Sequence, residues 1–131
     1  MTKNNNQYEL FFIYGTLKTN EYNNYVMTNN QCIFLEECQT IEEYPMVILK
    51  EPFPYLIDNK GIGKKVKGEL YLVPKENIDN LDYFEGVPTL YKKGKIKVLT
   101  SISQSEKEVN VYFKATPAIL ENKELLEEFN S

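Results

Sequence analysis

Three stretches of this chain alternate apolar and polar residues with a period of two: "VKGELYLV" (66–73), "KIKVLTS" (95–101) and "VNVYFKA" (109–115). That period sends successive side chains to opposite faces of a strand, so each stretch calls for a sheet with one buried face. In the first, Val66, Gly68, Leu70 and Leu72 share one face, while Lys67, Glu69 and Tyr71 share the other. In the other two, Ile96 and Val98, then Val109, Val111 and Phe113, form the apolar side. The polar run "SQSEKE" between them reads as a hairpin loop. The stretch from Tyr8 to Tyr14 differs, being almost continuously apolar, as a central strand covered on both faces would be. Ile33, Leu35 and Ile41 mark a further strand and turn, and "PMVILK" (45–50) another.

Helical patterns are few. Pro74 suits the first turn of a helix running to about Phe84, with Ile78 and Leu81 turned inward. A short helix is expected around Glu21 to Met27. The C-terminal "PAILENKELLEEFN" has a helical period that would pack Leu120, Leu125 and Phe129. No repeat, linker or break in composition divides the chain. The expected architecture is therefore α+β: one domain over 8–131, a mostly antiparallel sheet curled toward a small β-barrel, with two or three flanking helices. Residues 1–7 read as a polar, partly disordered lead-in.

Composition narrows the chemistry more than the fold. The net charge of −4 argues against a nucleic-acid binder, which carries a basic surface. Lysine clusters at 64, 65 and 67 and at 92, 93, 95 and 97 read as solvent faces of strands. All 15 basic residues are lysines, so any anion must be held by lysine or by backbone N–H groups rather than an arginine fork. No apolar run approaches the roughly 20 residues of a membrane helix, and the N-terminus lacks the pattern of a secretory signal. A cytoplasmic monomer without membrane or nucleic-acid partner is the expectation. Cys32 and Cys38, on one strand, would lie about 20 Å apart, too far for a disulfide, and read as buried thiols. Histidine is absent, which removes Ser–His and Cys–His catalysis and most zinc sites. Chemistry must rest on carboxylates, hydroxyls, lysines and backbone, with no metal or cofactor expected.

Two segments stand apart from the sheet pattern. In "YGTL" (14–17) a glycine directly follows a buried strand, which marks either a positive φ or a close approach. If the chain turns there, the N–H groups of Gly15, Thr16 and Leu17 point outward and can hold an anion or a developing oxyanion. The plainer reading is a strand-to-loop turn with Thr16 as a cap. In "NLDYFEGVP" (80–88), Gly86 looks like a left-handed helix cap and Pro88 prevents the helix from resuming. Glu85 then sits at the negative end of the helix dipole, flanked by Phe84, Val87 and Tyr91, where a raised pKa would suit a general acid or base. The plainer reading is a solvated surface glutamate.

Taken in order, "FFIYGTLK", "EYPMVI", "GELYLV", "LDYFEGVPTLYKKGKIKV" and "VYFKAT" resemble the γ-glutamylcyclotransferase-like superfamily, and within it the γ-glutamylamine cyclotransferases. The resemblance runs from about Phe11 to Thr116. It implies a small β-barrel with flanking helices that releases 5-oxoproline and a free amine from a γ-glutamyl amine such as N-ε-(γ-glutamyl)lysine. The family's catalytic glutamate falls on Glu85. Its substrate-holding turn falls on Tyr14, Gly15, Thr16 and Leu17, and the tyrosine of its "P-x-x-Y" on Tyr91. Tyr14 and Tyr91 could equally be core aromatics with a satisfied hydroxyl. Where the family often has a glycine after the YGTLK lysine, this chain has Thr19–Asn20. Its basic residue after Tyr91, often arginine in the family, is a lysine. Both departures bear on the leaving group, which leaves γ-glutamyl amino acids, a γ-glutamyl biosynthetic intermediate or a non-catalytic binding relative as alternatives.

Such chemistry asks little of the protein. The substrate's own α-amine closes the ring, with the entropic advantage of an intramolecular attack, and one carboxylate suffices to move the proton. The N–H turn could hold either the oxyanion or the α-carboxylate.

Overall fold

Strand β1 (Tyr8–Ile13) pairs antiparallel with β5 (Lys67–Pro74), from Tyr8 opposite Pro74 to Ile13 opposite Glu69, in a computed structural model that describes residues 7–131. Apart from Gln7, the expected lead-in lies outside the described residues. β5 also pairs with β2 (Ile33–Thr40), whose register shifts between Phe34 and Glu36. β2 meets β6 (Tyr91–Thr100), and β6 forms a long hairpin with β7 (Glu106–Lys114). A parallel bridge from Phe11 to Asn110 then closes the barrel in the order β1-β5-β2-β6-β7. A separate two-stranded sheet joins β3 (Met46–Ile48) to β4 (Pro54–Leu56).

The two faces of β1 explain its unbroken apolar run. Phe12 and Tyr14 fill the barrel with Leu70, Val98, Val111 and Phe113. Phe11 and Ile13 face outward, into a second core with Tyr71, Val73 and Tyr112. Two helices roof that second core: α1 (Tyr25–Asn29) through Val26 and Met27, and α2 (Ile78–Glu85) through Ile78 and Leu81. Burying a large apolar side chain contributes about 1.5–3 kcal/mol, so a strand with two apolar faces is stable only if both are covered. This roof also corrects the reading of β5. Tyr71, grouped by sequence with the polar face, is buried, because that face of β5 lies beneath α1 and the turn before it.

Three further expectations need correction. The first helix starts later than Glu21, because Asn20 adopts φ 73° and residues 18–24 fold into turns instead. The C-terminal segment is not helical. Leu126 N–H bonds the Met46 carbonyl at 2.8 Å, and the Glu127 carbonyl accepts Lys67 N–H at 2.8 Å. These tertiary bonds claim backbone groups that a helix would use. They let Leu126 and Phe129 pack on the barrel core while Leu120 and Leu125 pack on the outer one, a split that one helix face cannot make. The cysteines are free thiols on different cores: Cys38 is buried in the barrel, whereas Cys32 precedes β2 and is only partly buried. Among the described residues no helix is long and apolar enough to cross a membrane.

Candidate active site

A cavity of about 210 Å³ opens where β1 ends, and its walls include Tyr14, Gly15, Thr16, Leu17, Glu85 and Tyr91. The six candidate site residues thus meet in one place, although Leu17 and Glu85 lie far apart in the chain; Thr19, Asn20 and Lys92 are not among its lining residues.

The turn after β1 is built by tying back its carbonyls. Gly15 C=O accepts Lys18 N–H at 3.1 Å, and Thr16 C=O accepts Asn23 N–H at 3.1 Å. Leu17 C=O accepts Asn24 Nδ2 at 2.8 Å, and Asn24 Nδ2 also bonds the Tyr71 hydroxyl at 3.1 Å. Asn23 Nδ2 reaches Thr16 Oγ1 at 3.0 Å. Among the described residues, the N–H groups of Gly15, Thr16 and Leu17 have no acceptor. A turn with its acceptors used and its donors free favours a negative or developing negative oxygen. Close approach rather than φ favours Gly15: a Cβ there would stand 3.1 Å from Pro54 Cγ on β4, tighter than ordinary contact.

Glu85 arrives from the other side of the sequence. Gly86 ends α2 at φ 69°, ψ 37°, and Val87 N–H returns to the Asp82 carbonyl at 3.0 Å. This six-to-one bond with a left-handed glycine is the Schellman stop. A cis Val87–Pro88 bond follows, and the chain enters β6 at Tyr91. The Glu85 carboxyl keeps some contact with solvent, but the cavity walls strip most of its water, and this desolvation pushes its pKa up to about 7. Among the described residues it has neither an ion-pair partner nor a hydrogen-bond donor. It is also the only charged side chain among the cavity's described lining residues.

Three tyrosines complete the wall, and their hydroxyl protons are committed to the protein. Tyr14 donates to the Tyr112 carbonyl at 2.5 Å, and Tyr91 to the Pro54 carbonyl at 3.0 Å. Tyr112 donates to Asp82 Oδ1 at 2.7 Å. Burial is the main cause that holds all three phenols well above their ordinary pKa, with the Glu85 charge adding to it. Asp82 in turn pairs with Lys93 at 2.9 Å, so this lysine, read from sequence as part of a solvent face, is tethered to the helix end. No group of three or more His, Cys, Asp or Glu among the described residues could hold a metal ion.

Sequence reading missed Asn23, Asn24, Phe53, Pro54 and Tyr112. Only Tyr112 left a signal: a large aromatic on the outward phase of an alternating strand, where solvent-facing residues are polar.

Comparison with known proteins gives the family. The model of the family described as "Gamma-glutamyl cyclotransferase, AIG2-like" matches residues 11–129, and the chain belongs to that family. It is 40% identical over 111 residues to gamma-glutamylaminecyclotransferase A of Danio rerio, covering 80% of this chain and 68% of that one. Gamma-glutamylaminecyclotransferase of Homo sapiens is 37% identical over 93 residues, covering 68% of this chain and 61% of its own length. The crystal structure of an AIG2-like protein from Mus musculus superposes with a TM-score of 0.88 at 28% identity, covering 95% of this chain and 89% of that one.

Proposed function

We propose that this protein is a cyclotransferase that converts γ-glutamyl amines, such as N-ε-(γ-glutamyl)lysine, to 5-oxoproline and the free amine. The observation that carries this reading is the pairing, in one cavity, of a desolvated carboxyl and a backbone turn with N–H donors, neither of which has a partner among the described residues. The substrate's α-amino nitrogen attacks its own γ-carbonyl carbon, forming the ring C–N bond. Glu85 takes the proton released by that nitrogen and hands it to the departing amine nitrogen as the amide C–N bond breaks. A carboxyl with a pKa near 7 both accepts from an amine of ordinary pKa about 8 and donates to a poor leaving group. The Gly15–Leu17 turn holds the oxyanion or the substrate α-carboxylate, and either role uses the same free donors.

The lining favours an amine over an amino acid. Phe53, Phe84 and Leu90 are among the cavity's described lining residues, and no lysine is. A γ-glutamyl amino acid would bring a second carboxylate next to the scissile nitrogen with no cation to meet it, and unpaired burial of a charge is costly. The test is a panel of γ-glutamyl alkylamines, γ-glutamyl-ε-lysine and γ-glutamyl amino acids, with 5-oxoproline read by mass spectrometry. Turnover of the amines is expected to lead. Preference for the amino acids would overturn the leaving-group assignment, and no 5-oxoproline from any member would overturn the reaction.

A further inference from the structure

The last turn of α2 is poorly held by packing. Leu81 is fully buried, but Tyr83 is 89% exposed and Phe84 39% exposed. Glu85 therefore depends on something other than burial of its neighbours for a fixed position. The strongest tether in that turn is Asp82, whose carboxylate takes the Tyr112 hydroxyl at 2.7 Å and the Lys93 ammonium at 2.9 Å. Its carbonyl also closes the helix cap through Val87 N–H. The same Tyr112 accepts the Tyr14 hydroxyl at its backbone carbonyl, one residue before the donor turn begins at Gly15.

We infer that Tyr112 is a positioning residue, whose carbonyl and hydroxyl lock the donor turn and the Glu85-bearing helix end at a fixed separation across the cavity. This deepens the proposed function and rests on it for the meaning of that separation. An ordinary buried tyrosine needs one acceptor for its hydroxyl; Tyr112 spends its hydroxyl and its carbonyl on the two halves of one site. The hydrogen bond to an ionised carboxylate is of the strong, charge-assisted kind, and it reaches the helix one turn before Glu85. Glu85 is faced by Tyr14 at the end of β1, Tyr91 of β6 and Tyr112 of β7, with Asp82 and Lys93 just behind. Releasing the helix end admits water to the carboxyl and relieves the desolvation that raises it.

Tyr112→Phe removes the hydroxyl and leaves the carbonyl bond to Tyr14 in place. Two readouts separate positioning from mere support. Carbon-13 NMR titration of the Glu85 carboxyl, which needs no turnover, should move from about 7 in the wild type toward the ordinary carboxylate range in the variant. The kcat for γ-glutamyl-ε-lysine should fall by roughly 10- to 100-fold with KM within about twofold, as for a small misplacement of a reacting group. Asp82→Ala, at a partly exposed position, should lower kcat similarly, and the double variant should be no worse than either single one. It also serves if Tyr112→Phe fails to fold. A Glu85 titration unchanged in folded variants, or losses that multiply in the double variant, would overturn the clasp. A wild type that makes no 5-oxoproline would instead sink the functional reading, and the titration would still decide the clasp.

Discussion

The turn at Gly15–Leu17 and the helix end at Asp82–Gly86 face the same cavity and are built on opposite plans. The turn carries no charge, and its carbonyls are all tied back, so what it offers is three unused backbone donors. The helix end offers one charge in a place where both dipole and desolvation oppose it. One region is specified by backbone geometry and tolerates side-chain change only where space allows. The other depends on a single functional group, held in place by the contacts of Asp82. Polar groups left unsatisfied cost stability, and here both regions leave theirs unsatisfied toward the same space.

Glu85→Gln strikes the charge and keeps the shape, so it should give the largest effect. We expect kcat to fall by about 10²- to 10⁴-fold, the usual contribution of a general acid–base group. Stability should move the other way. The folded protein holds the Glu85 proton up to about pH 7, whereas the unfolded chain releases it near the ordinary value of 4.5. Between those values the folded state binds more protons, so the wild type loses stability as pH rises through that window. Paired denaturant melts should therefore coincide below the window and separate above it, with the glutamine variant more stable by on the order of 1–3 kcal/mol. A glutamine variant less stable at pH 8 would make Glu85 a structural residue.

Gly15→Val tests the opposite plan and should come second. Its Cβ would crowd Pro54 at 3.1 Å, and the Pro54 carbonyl holds Tyr91. A loss of roughly 100-fold in kcat/KM is expected, in keeping with a small displacement of a positioned group, while Thr16→Ser should stay within about twofold. Full activity in a folded valine variant would dissolve the contrast between the two regions.

The pH profile sharpens the comparison without mutation. Activity with γ-glutamyl-ε-lysine should fall about tenfold per unit on the acid side of pH 7, because the base must be ionised to take a proton. Thr16→Ser should leave that limb in place, since the turn carries no titrating group. A limb centred near 4.5 would mean that Glu85 is not the group titrating.

Asn24→Ala should have a smaller effect than Gly15→Val. It removes the donor to the Leu17 carbonyl and to the Tyr71 hydroxyl. A destabilisation of about 1–3 kcal/mol and a several-fold rise in KM with kcat nearly unchanged are expected. A fall in kcat at constant KM would place Asn24 in the chemical step instead.

Legibility in the sequence followed the same division. The helix end was readable because its signals are local: Gly86 and Pro88 stop the helix, and the misplaced sign of Glu85 follows from that stop. The barrel strands were readable from their period. The unpaired donors of the turn could be guessed from Gly15, but the asparagines that tie back its carbonyls could not, because nothing in "EYNN" says which backbone group an amide will reach. β4 was missed, since two prolines in "EPFPYL" argue against a strand and the pairing uses only Pro54–Leu56 at a sheet edge. The C-terminal helix failed for a related reason: its period was real, but Met46 and Lys67 supply backbone partners that only the folded barrel provides.

The three committed phenols also give the molecule an optical gauge. Tryptophan is absent, so near-ultraviolet absorbance belongs to the 10 tyrosines with little competition. In alkali a solvent-exposed phenol ionises near 10 and gains the red-shifted phenolate band, whereas Tyr14, Tyr91 and Tyr112 are held protonated by burial well beyond that point. Their absorbance can change only when the cavity wall gives way. A spectrophotometric alkaline titration should thus end in a wave that coincides with loss of structure, after the exposed phenols and then Tyr55, which burial pushes up to about 12, have ionised. The position of that last wave reports how firmly the wall is closed without substrate, label or ligand.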